Sequence, residues 1–115
     1  MKSRASKTLA LAALLSAPFA AVAAEPASIE KGKQVFRTWC EACHGTGDDR
    51  PGTLGLAAKY NGKIPARLED RTDMSADFVT FYVRNGFAMM PPFRKTEISD
   101  ADLAAVATYL TRKRK

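Results

Sequence analysis

Apolar side chains at Ile29, Val35, Phe36, Trp39 and Cys40 recur every three to four positions between residues 28 and 43, with charged residues between them. That period puts the apolar set along one stripe of an amphipathic helix. Gly32 interrupts the pattern. A glycine inside a helix costs about 1 kcal/mol against alanine, so its presence points to the close approach of a second backbone. Phe78, Val79, Phe81, Tyr82 and Val83 predict a second helix, opened by Ser75 as N-cap with Asp77 in the first turn and stopped by Asn85-Gly86. A third is predicted by the stripe Leu103, Val106 and Leu110, with Tyr109 beside it. Ser99-Asp100-Ala101-Asp102 ahead of it resembles a capping box with Asp in place of the longer Glu, and Ile98 and Leu103 are spaced as a hydrophobic staple. No stretch alternates with period two, so the chain reads as all-α with three main helices.

The connections are long. Residues 45–56, GTGDDRPGTLGL, read as a glycine-rich loop, residues 57–60 as a short helical turn closed by Asn61-Gly62, and residues 64–72 as a brief turn opened by Pro65. After the second helix comes GFAMMPPFRKTE. Two consecutive prolines cannot sit inside a helix, which leaves Met89 and Met90 on irregular backbone.

Ahead of the first helix, Lys2, Arg4 and Lys7 precede an apolar run from Leu9 to Ala24, broken by Ser16 and Pro18 and ending in Ala21-Val22-Ala23-Ala24. A basic head, a short apolar middle and a small-residue end predict a secretory signal peptide over residues 1–24, cleaved after Ala23 or Ala24. A spanning helix wants about 20 apolar residues without an interior proline, so no stable membrane insertion is expected after cleavage. Residues 25–115 then form one domain of 91 residues. A chain this short buries a small fraction of its surface and needs something further to stabilise it. The formal charge of +6 includes Lys2, Arg4 and Lys7, which leaves +3 on the exported part. Four cations, Arg112, Lys113, Arg114 and Lys115, close the chain. At a helix C-terminus they match the helix dipole, and export argues against a nucleic-acid partner.

Residues 39–45 read WCEACHG and hold both cysteines and the only histidine of the chain. Cys40-Glu41-Ala42-Cys43-His44 fits C-x-x-C-H, the attachment site of one covalent haem c. On helical backbone Cys40 and Cys43 share a face, as thioethers to the two haem vinyl groups require, and His44 reaches the iron from one side. Other chemistries fit less well. A disulfide would close a very small loop and leave His44 without a purpose. A thioredoxin-like dithiol expects a βαβ context, and zinc needs four ligands where one cysteine pair and one histidine exist. A large apolar macrocycle also supplies the buried surface that the short chain lacks.

Six-coordinate iron needs a second axial donor, and a methionine thioether is the ordinary partner of histidine in such haems, raising the reduction potential. Beyond residue 24 the candidates are Met74, Met89 and Met90. Methionine usually fills gaps in cores, but two adjacent methionines on a proline-stiffened loop follow no core stripe. Met90-Pro91-Pro92-Phe93, followed by Glu97-Ile98-Ser99-Asp100-Ala101-Asp102-Leu103, resembles the methionine-ligand region of class I monohaem cytochromes c. The resemblance implies a small class I cytochrome c fold, three main helices and short helical turns wrapped around one covalent haem. It makes Met90 the second axial ligand and Met89 a neighbour on the haem edge. It also implies that the first and last helices cross, with Gly32 and Phe36 meeting Tyr109, and that the protein is a soluble one-electron carrier of the bacterial periplasm. In such proteins a proline carbonyl like that of Pro51 often accepts the histidine ring proton, although the loop here does not align cleanly with that pattern.

Val83-Arg84-Asn85-Gly86-Phe87, with Met90-Pro91 and Phe93, resembles the cytochrome subunit of p-cresol methylhydroxylase and the related eugenol hydroxylase. That resemblance implies a flavoprotein partner whose flavin removes a hydride from a 4-alkylphenol and hands its electrons singly to the cytochrome. The chain departs from the short p-cresol subunit by a longer segment, roughly residues 59–72. The alternative within electron transfer is a freely diffusing respiratory shuttle, for which a charged ring around the haem edge is expected; the scattered lysines and arginines reveal none. A haem sensor or small peroxidase would need an open iron and a distal acid or base, and Arg84 is the one candidate near the methionine loop. With both axial positions filled, no catalytic residue is expected, and the protein reads as an electron carrier rather than an enzyme.

Overall fold

Among the described residues five α-helices follow one another: α1 Ala24–Trp39, α2 Glu41–His44, α3 Pro51–Tyr60, α4 Ala76–Asn85 and α5 Asp100–Thr111, with a 3-10 turn at Leu68–Asp70. The computed structural model describes residues 24–113, so the signal-peptide expectation lies outside the described residues apart from Ala24, as do Arg114 and Lys115. Among the described residues there is no strand, and the one extended pairing is an isolated bridge between Phe87 and Met90. The all-α class expected from the missing period of two is what the chain adopts.

The core forms where α1 crosses α5. Val35 and Phe36 of α1 are buried against Leu103, Val106, Tyr109 and Leu110 of α5, and the Phe36 and Tyr109 ring centroids lie 5.9 Å apart. Side chains of this size contribute about 1.5–3 kcal/mol each when fully buried. α4 adds Val79 and Val83 to the same core, and Ile98 is fully buried. Gly32 is the point of closest approach. A Cβ there would stand 2.1 Å from the Ala105 carbonyl oxygen and 2.6 Å from the Tyr109 Cβ, so the helices meet backbone to backbone.

The helix ends follow the sequence closely. Ser75 Oγ accepts from the Phe78 N–H at 3.1 Å and Ser99 Oγ from the Asp102 N–H at 3.0 Å. The capping box at Ser99 is only half made, because the Asp102 carboxylate pairs with Lys31 of α1 at 3.2 Å. The shorter aspartate thus ties the two crossing helices rather than closing its own first turn. Gly86, with φ of +68°, takes the chain out of α4 through a conformation that side chains disfavour.

Elsewhere the structure departs from the pattern. α1 stops at Trp39, and Cys40, with φ of −116°, turns the chain into the single turn α2 instead of continuing one helix to Cys43. The stretch expected as a loop contains α3. Pro51 sits at its first position, where the missing N–H is no loss, while Gly52 and Gly55 inside it lower the propensity that would have revealed it. Asn61, left-handed with φ of 48°, ends α3, and the following brief turn begins at Leu68 rather than at Pro65.

Gly32→Ala is the sharpest test of the crossing. The better helix propensity of alanine is worth about 1 kcal/mol, but the new methyl meets backbone that cannot rotate away, and overpacking of this kind costs about 1–3 kcal/mol. Denaturant unfolding of the variant is expected to show a net loss of stability. A gain would mean that the helices stand further apart than described.

Candidate functional site

Cys40, Cys43 and His44 line one cavity of about 490 Å³, within the range of pockets that hold organic cofactors. α1 delivers Trp39 to it, and α2 with its N-cap Cys40 delivers the other three. The Cys43 and His44 N–H groups donate to the Cys40 carbonyl at 3.1 and 2.8 Å, so the motif closes on itself as one helical turn. Both cysteines are free, Cys43 exposed and Cys40 half-buried. Burial pushes the Cys40 thiol up to about 12, with the nearby Cys43 adding to the rise, so the sulfur stays protonated at neutral pH. Among the described residues no group of three or more His, Cys, Asp or Glu is arranged to hold a metal ion.

His44 is set by the helix that the sequence hid. Thr53 Oγ1 in the first turn of α3 donates to the Gly45 carbonyl at 2.9 Å, fixing α3 against the chain that leaves the motif. Gly52 then lies against the imidazole: a Cβ there would stand 2.7 Å from His44 Cε1 and 2.8 Å from Nδ1. Nδ1 is buried and has no hydrogen-bond partner, so the Pro51 carbonyl does not take up the role considered for it. Burial lowers the pKa of His44 and favours the neutral ring, the form that can donate a lone pair to a metal.

The opposite side of the cavity comes from the loop between α4 and α5. Phe87 and Met90 exchange backbone hydrogen bonds of 3.0 and 2.9 Å, and the Phe93 N–H donates to Val83 at 2.8 Å, folding the loop back on the end of α4. Met74, Met89 and Met90 all line the cavity. Met90 and Met74 are half-buried and pack on the core, whereas Met89 is 83% exposed. Trp39 and Phe93 meet edge to face with centroids 5.9 Å apart, joining the start of the cysteine motif to the end of the methionine loop.

Arg71 is the site residue that the sequence did not reveal. It is 4% exposed, lines the cavity, and lies with its guanidinium carbon 5.1 Å from the Tyr60 ring centroid and 5.6 Å from that of Phe78. Asp73 receives its Nε and Nη2 at 2.9 and 2.6 Å in a two-point fork, which holds the Asp73 carboxyl below its usual range and raises Arg71 further. An arginine in an irregular stretch gives no periodic signal; the only hint was an aspartate two positions later. Arg84 is not at the cavity. It donates to the Phe93 carbonyl at 3.0 Å and to Asp100 at 2.9 Å. Arginine holds its proton in proteins, so neither guanidinium is suited to be a distal base.

Two thiols on one helical turn, a neutral imidazole and a methionine pair around an apolar cavity suit a covalently held haem. The family model described as cytochrome c oxidase, cbb3-type, subunit III matches residues 27–110. Cytochrome c6 of Gracilaria tenuistipitata var. liui is 30% identical over 87 residues, 76% of this chain and 74% of its own. Cytochrome c6 of Bumilleriopsis filiformis is 32% identical over 84 residues, 73% of this chain and 90% of its own. No solved structure matches the chain significantly.

Gly52→Ala is expected to displace the His44 ring and so to change the visible spectrum and reduction potential of the haem-loaded protein. A spectrum and potential identical to those of the unsubstituted protein would mean that Gly52 does not set the ring.

Proposed function

The chain belongs to the family that this model describes, a class I monohaem cytochrome c domain, and on that premise we propose that it accepts electrons singly from a flavin-dependent, 4-alkylphenol-oxidising protein. Membership makes it an electron-transfer protein with covalently attached haem c, not an enzyme. In the proposed site, Cys40 and Cys43 would hold the haem through thioethers, and His44 and Met90 would ligate its iron. The observation that carries this assignment is that the cysteine turn and the methionine turn line the same apolar cavity. Haem c supplies a one-electron iron couple when bound.

The protein's own residues then do three things. Gly52 leaves room for the His44 ring, whose buried neutral form is ready to ligate. The Phe87–Met90 turn holds Met90 half-buried, which favours it over Met89 as ligand. Phe87 and Met89, 62% and 83% exposed, bring the cavity lining out to the surface as an apolar edge on which a redox protein can dock. The stretch that resembles the flavocytochrome subunit, residues 83–93, is the one that builds this edge. A reduced flavin holds two electrons, so delivery takes two steps, each to an oxidised haem. Residues 1–24 are proposed as the export signal and 25–115 as the periplasmic domain. No described helix is long and apolar enough to cross a membrane.

Two experiments check these assignments. Met90→Ala in the haem-loaded protein should lower the reduction potential and admit an added sixth ligand, while Met89→Ala should do neither; the reverse outcome moves the ligand to Met89. Anaerobic mixing with a 4-alkylphenol-oxidising flavoprotein and its substrate should reduce the haem rapidly, with the two proteins co-eluting. Slow reduction without a complex would leave a freely diffusing carrier instead.

A further inference from the structure

Residues 61–75 join α3 to α4 with only one short 3-10 turn, yet they contribute Leu68, Arg71 and Met74 to the cavity wall. A wall whose helical hydrogen bonding is limited to that turn, where the Asp70 and Arg71 N–H groups donate to the Arg67 and Leu68 carbonyls, depends largely on side chains to hold it in place. Glu69 makes such a contact. Its Oε2 receives Arg67 Nη2 at 3.0 Å, and its Oε1 receives the hydroxyl of Tyr109, 40 residues away on α5. Tyr109 is itself fixed, buried at the crossing against Gly32 and Phe36, with the Arg112 guanidinium carbon 3.9 Å from its ring centroid and Arg112 Nη1 donating to its carbonyl. The carboxylate thus joins an irregular wall to the most tightly packed part of the fold.

The protonation states agree with this role. Burial pushes Glu69 up, but the hydrogen bonds from Tyr109 and Arg67 outweigh it and keep the carboxyl below its usual range. Burial, and then Glu69 itself, raise the Tyr109 phenol. The phenol keeps its proton and the carboxylate its charge, so one donates and the other accepts across neutral pH.

We propose that Glu69 is a positioning residue for the haem cavity: by bridging Tyr109 of α5 to Arg67 it holds the wall bearing Leu68, Arg71 and Met74 in place. This rests on the reading that the cavity receives haem. Releasing the bridge lets the wall open and water enter, and water stabilises the more highly charged oxidised iron, so the potential falls.

The test uses haem-loaded wild type, Glu69→Gln and Tyr109→Phe, the last removing only a hydroxyl and keeping the ring in the core. The potential and the hydrogen exchange of each segment are measured. Both variants are expected to lower the potential and to speed exchange in residues 66–74 by roughly tenfold or more, the loss expected for a hydrogen bond to a charged group. The double variant should fall short of the sum of the two, since glutamine keeps one acceptor oxygen but loses the charge, and both changes weaken the same Glu69–Tyr109 contact. A wild type without covalent haem would overturn the site reading and this role with it. A haem-loaded wild type matched by both variants in potential and in exchange would overturn the role of Glu69 alone, as would faster exchange spread evenly over α1 and α5.

Discussion

The contact at Gly32 sets the rest of the structure in place. Because no Cβ intervenes between α1 and the Ala105 carbonyl, Phe36 and Tyr109 close over each other at the crossing. That fixes where α1 ends, hence where Trp39 and Cys40 emerge, and it fixes the height on α5 at which the Tyr109 hydroxyl reaches Glu69. The Lys31–Asp102 pair adds a polar tie across the same crossing, although a pair this exposed contributes at most about 1 kcal/mol. The burial of Phe36, Val106 and Leu110 is the larger effect by a wide margin. A domain of this length has little further core to spare. Much of its remaining apolar surface lines the cavity, which is why a covalently held macrocycle suits it.

Strong periodicity and strong end signals made α4 and α5 legible in the sequence, down to Ser75 and Ser99 as caps. The interrupting glycine of α1 marked the crossing because its propensity cost has no local benefit. α3 was hidden for the opposite reason. It buries no residue, and two glycines dilute its pattern, so nothing but Pro51 marked a start. The cysteines and His44 were legible because their spacing is chemical rather than conformational. Choosing among Met74, Met89 and Met90 needed a family pattern, and all three in fact line the cavity. Arg71, Glu69 and Gly52 were not legible. Each acts through a contact with a distant or irregular segment, and such contacts leave no period in the chain.

Around the cavity, buried charge is either absent or cancelled. The single buried cation among the described residues, Arg71, is matched by the Asp73 carboxylate, and the other cation of the lining, Lys59, is exposed. An iron that changes its charge by one unit in such surroundings has little nearby to compensate it except water, because a field that is weak in water is several-fold stronger in a protein interior. The potential of the site then depends on how much water the walls admit. Most of those walls are helical or backbone-paired: the α2 turn, α3, α4, α5 and the Phe87–Met90 turn. The wall around Leu68 and Arg71 has one 3-10 turn, and its position is set by side-chain bonds to Asp73, Tyr109 and Arg67 more than by main-chain ones. The stretch between α3 and α4, held mainly by side chains, is therefore also the one whose order governs the electrostatics of electron transfer.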